Sequence, residues 1–182
     1  YIFHLRLGVV WKISLQIQFL CMFVALNLIM KIISEILKLL RLLKMSKTSS
    51  VFDCNIVEFD KKHEIKGNLT AVTNQLQIPF DIKRIFYLYD IPGGTSRGGH
   101  AHRDLKQLVF AISGSFDIIL DDGKDKRIFN LSRPNLGLII PPGLWRELDN
   151  FSSGSICMVL ASELYDEKDY FRNYSEFKEW KY

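Results

Sequence analysis

The sequence predicts an all-β body, a barrel or sandwich, preceded by an apolar segment of a different kind. Three observations carry that expectation. From Val51 onward the apolar runs are short and turn residues recur roughly every 8–12 positions. The turns are of strand-reversing types: Pro-Gly-Gly at 92–94, Ser-Gly at 113–114, Asp-Asp-Gly at 121–123 and Pro-Pro-Gly at 141–143. A length of 182 residues suits one domain, and 48% apolar residues with 13 phenylalanines are enough to fill its core.

Residues 1–44 stand apart. They are rich in Leu and Ile, with one glycine and no proline. Between Lys12 and Lys31 run 18 mostly apolar residues, interrupted by Ser14, Gln16, Gln18 and Asn27. That falls short of the about 20 consecutive apolar residues a spanning helix needs, and no Ala-x-Ala cleavage site follows. Residues 31–44 alternate apolar and basic positions at helical spacing, the pattern of a helix lying on a membrane surface. The chain opens on Tyr1, and Met45 begins a polar run, Met-Ser-Lys-Thr-Ser-Ser. The segment is therefore read as non-native upstream sequence translated in frame, as a membrane-associated anchor, or as a docked helix. In each case 45–182 is the working domain.

Within that domain the expected strands are 55–60, 71–73, 83–90, 99–102, 107–112, 116–121, 126–131, 137–140 and 156–162. The Asp-Gly at 122–123 closes a hairpin between the sixth and seventh of these. Asp121, Asp122 and Asp125 read as a solvated acidic turn. The tail 166–180, with Tyr170, Phe171, Tyr174, Phe177 and Trp180, reads as a short helix or an extended arm packed on the barrel.

The net charge of +4 belongs to the first segment. Residues 1–44 hold six Lys and Arg and one acid, leaving 18 basic and 19 acidic residues in the body. Such a body has no broad basic field to attract nucleic acid. Cys21, Cys54 and Cys157 are far apart and odd in number, without C-x-x-C spacing, which suits reduced thiols in a cytoplasmic protein.

One stretch carries chemistry. Gly94 is followed after five residues by His100-Ala-His102, then after four by Gln107, then after six by Gly114. Two histidines spaced by two on a strand point to one face. This is the spacing of the first cupin motif, with Gln107 where that motif has Glu. A second cupin motif follows in Pro141-Pro142-Gly143, Arg146 and Asn150, with Arg146 where that motif has His. The fold expected is thus a cupin jelly-roll barrel. The replacements argue against a metal. Arg presents donors only and cannot ligate, and Gln is a weaker ligand than Glu, so two of four ligands remain. Two imidazoles beside Arg97 and Arg146 suit proton transfer on an anionic substrate instead. Arg84, isolated in the apolar run Ile-Lys-Arg-Ile-Phe-Tyr-Leu-Tyr, is a candidate phosphate ligand or a solvated edge residue. Tyr87 and Tyr89 either line the cavity or are ordinary tyrosines.

These residues resemble the WxcM-like sugar 3,4-ketoisomerases. The resemblance lies in Ile78-Pro79-Phe80 through Arg84 to Tyr87, in Arg97-Gly-x-His100-Ala-His102, in Asp121-Asp122-Gly123, in Trp145, and in Tyr165-Asp166-Glu167-x-Asp169-Tyr170. It covers roughly residues 52–180. The resemblance implies an isomerase acting on dTDP-4-keto-6-deoxyglucose, without metal or organic cofactor. It also implies a homodimer with exchanged strands and a role in making dTDP-3-amino-3,6-dideoxy sugars for surface polysaccharide such as lipopolysaccharide or S-layer glycan. By position, His100 matches the family's base and His102 its partner. Arg84 and Arg97 match arginines at the nucleotide-sugar site, with Tyr87, Gln107 and Arg146 as further substrate contacts. Residue 146 is often His in such sequences.

The chemistry this implies is removal of the C3 proton by His100, a shuttle between the two oxygens by His102, and return of a proton to C4. The rival readings are a metal-dependent cupin enzyme, a non-catalytic nucleotide-sugar-binding cupin, and a 3,5-epimerase. The last ranks lower because no other obvious His–Asp pair is visible in the sequence.

Overall fold

The computed structural model describes residues 22–37, 49–74 and 76–182. Residues 22–37 are helical (α1), with exposed side chains throughout. Among the described residues no helix is long and apolar enough to cross a membrane. The rest of the segment 1–44, and Met45, lie outside the described residues.

The body is built of strands. In chain order these are β1 (Asn55–Glu58), β2 (Lys61–Glu64), β3 (Gly67–Thr70), β4 (Arg84–Leu88), β5 (Arg97–His102) and β6 (Gln107–Ser113). There follow β7 (Phe116–Asp121), β8 (Lys126–Leu131), β9 (Leu136–Ile140), β10 (Trp145–Asp149), β11 (Ile156–Ala161) and β12 (Tyr170–Phe171), closed by a helix α2 (Tyr174–Lys181). One five-stranded sheet runs β1-β9-β6-β11-β4 and a second runs β12-β5-β10-β7-β8, with β2 and β3 as a separate hairpin. All pairings are antiparallel. Two sheets packed face to face over one core are the double-sheet form of a jelly roll.

Alternation along each strand assigns its faces. Val109 and Ala111 of β6, Leu138 and Ile140 of β9, and Cys157 and Val159 of β11 join Phe116, Ile118 and Leu120 of β7 in the core between the sheets. The centre of the opposite face of the first sheet is also buried. Leu108, Phe110 and Leu160 lie there beneath Phe59, Ile78 and Phe80. That is why β6 reads as an unbroken apolar run rather than an alternating one. On the second sheet, Ala101, Trp145 and Phe171 face outward into a cluster with Phe177 of α2.

The tail is therefore both of the expected things, a short strand followed by a helix. Asn173 caps α2, its side chain accepting from the backbone N–H of Ser175 and Glu176. Lys181 anchors the far end. Its buried ammonium donates to the carbonyls of Ser49 and Gly143, at 2.5 Å each.

Five sequence expectations change. Residues 71–73 are not a strand, and β2, β3 and β10 were not anticipated as strands. The β2–β3 hairpin has both faces in solvent apart from half-buried Thr70, so it carries no apolar alternation. The acidic turn is solvated only at Asp125. Asp121 and Asp122 are 3% and 4% exposed. Asp122 accepts from the N–H groups of Val51, Lys124 and Asp125, and Asp121 from Gly123 N–H and the Tyr174 hydroxyl. Hydrogen bonds replace the water these carboxylates lose.

Candidate active site

Strand β5 carries the site. His100 and His102 alternate with Ala101, so both rings turn to the inner face while Ala101 packs against Trp145 and Phe171 outside. Cross-strand partners share a face. On one side Arg146 of β10 stands opposite His100; on the other Tyr170 of β12 stands opposite His102. The two imidazoles lie edge to face, centroids 5.0 Å apart, and the Tyr170 ring is 5.2 Å from His100 and 4.2 Å from His102. A β-bulge between Arg146 and Glu147 lets β10 keep Arg146 inward beside this pair. Gly98 permits that approach: at φ +90° a Cβ there would stand 2.8 Å from the Arg146 carbonyl oxygen.

The facing sheet contributes a second row. Ala161 of β11 pairs with Gln107 on β6 and with Arg84 on β4, so Arg84 and Gln107 point the same way from the opposite wall. Between the walls is a cavity of about 290 Å³, with His100, His102, Gln107 and Arg146 in its polar part and Phe86 and Val109 among its apolar lining. Arg97 and Arg172 are at its mouth. Arg84 sits to the side, its guanidinium 5.0 Å from the Phe86 ring and 5.5 Å from that of Tyr165. Tyr87 is a correction. It alternates with inward Phe86 and Leu88, is 61% exposed, and lies outside this chain's cavity. A larger hollow of about 930 Å³ lies by the β2–β3 hairpin, but its lining includes neither histidine nor cysteine.

Electrostatics set the state of the rings. Burial, then the guanidinium of Arg146, push His100 down to about 3. Burial, Arg146, Arg84 and Arg172 likewise hold His102 well below its ordinary 6.5. Both imidazoles are neutral near pH 7, so each keeps a lone pair. Arg146 is 3% exposed, and its three guanidinium nitrogens have no hydrogen-bond partner. A buried cation with all donors free is expensive unless a ligand supplies acceptors. Among the described residues no group of three or more His, Cys, Asp and Glu is placed to hold a metal.

The sequence reading assigned Asp169 no role, although it stands in the Tyr165–Tyr170 run that carries the family resemblance. Its carboxylate lies 2.8 Å from Nδ1 of the nearly inaccessible His102 and accepts the backbone N–H of Asp104 at 2.8 Å. So a His–Asp pair does exist, contrary to the argument used against an epimerase. Its sequence signals are that motif and its place just before β12, the strand that pairs with β5. Arg172 was also missed. It holds Glu167 in a two-pronged ion pair, at 2.6 and 3.0 Å.

The geometry therefore presents two neutral bases and a free guanidinium around one small cavity, and comparison with known proteins places it. The FdtA family model (WxcM-like, C-terminal) matches residues 52–182. The chain belongs to the WxcM-like family. A TDP-4-oxo-6-deoxy-α-D-glucose 3,4-oxoisomerase of Aneurinibacillus thermoaerophilus is 42% identical over 125 residues, 69% of this chain and 90% of the relative. A 3,4-ketoisomerase from Helicobacter canadensis is 44% identical, with a TM-score of 0.69 over 71% of this chain and 97% of its own. QdtA, a sugar 3,4-ketoisomerase from Thermoanaerobacterium thermosaccharolyticum solved with TDP, is 36% identical, with a TM-score of 0.70 over 71% of this chain and 95% of its own. A mutant of the same enzyme has been solved with TDP-4-keto-6-deoxyglucose.

For a WxcM-like protein with these depressed histidines, catalysis is expected to show no limb from either ring between about pH 6 and pH 8. Stability behaves differently. The folded chain keeps His100 neutral to about 3, while the unfolded chain protonates it near 6.5. The unfolded state then binds more protons, so the contribution of His100 is complete above 6.5 and is lost as the pH falls from there toward 3. Initial rates and thermal midpoints over one pH series check both halves. A rate limb near 6.5 that disappears on replacing His100 would contradict the neutral-ring account.

Proposed function

We propose that this WxcM-like chain is a TDP-sugar 3,4-ketoisomerase, an isomerase that moves the keto group of a dTDP-linked 4-keto-6-deoxy sugar from C4 to C3. The observation that carries the reading is the pair of neutral imidazoles beside a buried guanidinium with all its donors free. The named activities of the relatives, and the ligands of the QdtA structures, support it.

The chemistry follows from the groups present. A carbonyl at C4 acidifies the C3–H. His100 takes that proton, and the electron pair of the C–H bond forms the enediolate. The negative charge collects on the C4 oxygen, where Arg146 N–H groups stabilise it, as preorganised donors do. The proton on the C3 oxygen then passes to the C4 oxygen by way of His102, and His100, its proton exchanged with solvent, protonates C4. No atom is gained or lost, and no oxidant is required. Arg84 and Arg97, with Arg172 at the mouth, face the diphosphate, for which guanidinium forks are well suited.

The product is a 3-keto sugar, the precursor that amination at C3 requires, which places the enzyme in synthesis of 3-amino-3,6-dideoxy sugars. The working unit is a homodimer that exchanges its β2–β3 arm. A lone two-stranded hairpin is marginal in water, this one is exposed on both faces, and Ile65 at its tip is fully exposed. Free, buried Cys54 and Cys157 suit the cytoplasm. Residues 45–182 form the catalytic domain.

The test is to incubate the protein with dTDP-4-keto-6-deoxyglucose in deuterated water and follow the sugar by proton NMR. A 3-keto product carrying deuterium at C4 is the expected outcome. An unchanged sugar from folded protein would refute the reading.

A further inference from the structure

Asp169 and His102 form a pair that the proposed reaction needs. The ring of His102 is 1% exposed, and its Nδ1 lies 2.8 Å from a carboxylate oxygen of Asp169. A carboxylate has no proton to give, so Nδ1 of the neutral ring must carry the hydrogen. The other nitrogen, Nε2, is buried without a partner, and His102 lines the cavity. The carboxylate is itself fixed. Its second oxygen accepts the N–H of Asp104, and the Asp169 carbonyl accepts the N–H of Arg103, next in sequence to His102. Tyr170 packs its ring against that of His102 at 4.2 Å and so limits its rotation.

We infer that Asp169 is a positioning residue: it locks His102 in the Nδ1–H tautomer, so that the Nε2 lone pair faces the sugar and performs the transfer between the two oxygens. With Nε2 bare, the ring accepts the proton leaving the C3 oxygen, becomes an imidazolium balanced by Asp169, and delivers the same proton to the C4 oxygen. The opposite tautomer would present N–H to a C3 hydroxyl that must lose its proton, and the step would stall. The inference rests on the ketoisomerase reading for its role, but not for its geometry.

The test uses the full chain, ¹⁵N-labelled at histidine, and two readouts. Imidazole ¹⁵N shifts, with His102 assigned by comparison with His102→Gln, should show Nδ1 protonated and Nε2 bare at neutral pH. In Asp169→Asn the side-chain amide can donate to Nδ1, so the shifts should exchange toward the Nε2–H form. On dTDP-4-keto-6-deoxyglucose, kcat should fall about 10²–10⁴-fold with KM within a few-fold, and Asp169→Glu should recover part of it. An Nε2–H tautomer in the parent protein would overturn the inference, whether or not the variants fold. A folded Asp169→Asn with kcat within threefold of the parent would also overturn it. If the tautomer is as stated but the parent leaves the sugar unchanged, the ketoisomerase reading fails while the lock stands.

Discussion

His100→Asn is expected to lose about 10²–10⁴-fold in kcat on dTDP-4-keto-6-deoxyglucose while keeping its fold. The reasoning starts from the strand. His100 is half-buried on the inner face of β5, and its neighbours outside this face, Ala101 and Trp145, do the packing. Asn is shorter and polar and fits a half-buried position without opening a large void, so the thermal midpoint should move little. It offers no basic nitrogen, so C3–H removal has no acceptor. Exchange of the substrate C3 proton with deuterated solvent isolates this step, and it should vanish with the overall rate. Normal turnover by a folded variant would remove His100 from the mechanism.

Arg146→Met should separate activity from stability. The guanidinium is 3% exposed, has no partner on any of its three nitrogens, and is pulled by burial down to about 10. Its desolvation is uncompensated in the folded chain, and a Met of similar length removes that penalty. The expected thermal midpoint is therefore equal to or higher than that of the parent. Activity should fall about 10²–10³-fold, the usual consequence of removing one donor aimed at a developing oxyanion. A residue that weakens the fold yet is required by the reaction is held for function. A large fall in midpoint, with activity lost only in proportion to unfolded protein, would assign Arg146 a structural task instead.

How much of this was legible depends on where each residue's physics was written. Strands β4, β6, β7, β8, β9 and β11 were legible because half-buried or fully buried strands leave a pattern in their own sequence. The His-x-His pair was legible because both members share one strand. Arg146 was legible only through motif spacing. Its strand, Trp-Arg-Glu-Leu-Asp, is too charged to read as β10, and the inward Arg that hides the strand is the one that serves the site. Tyr87 was misplaced by a single position of a two-residue period, since Arg84 starts the inward row and Phe86 and Leu88 continue it. The hairpin β2–β3 escaped because it buries almost nothing in its own chain. Asp169 escaped because its meaning lies in a ring 67 residues earlier.

That separation bears on how the protein comes into being. A chain shortened before residue 169 keeps β1 to β11 and both histidines but lacks the carboxylate that orients one of them. Released from the ribosome, such a truncated protein should show most of the β signal of the full chain and an idle His102, with activity returning only when the chain is extended through Asp169 and β12.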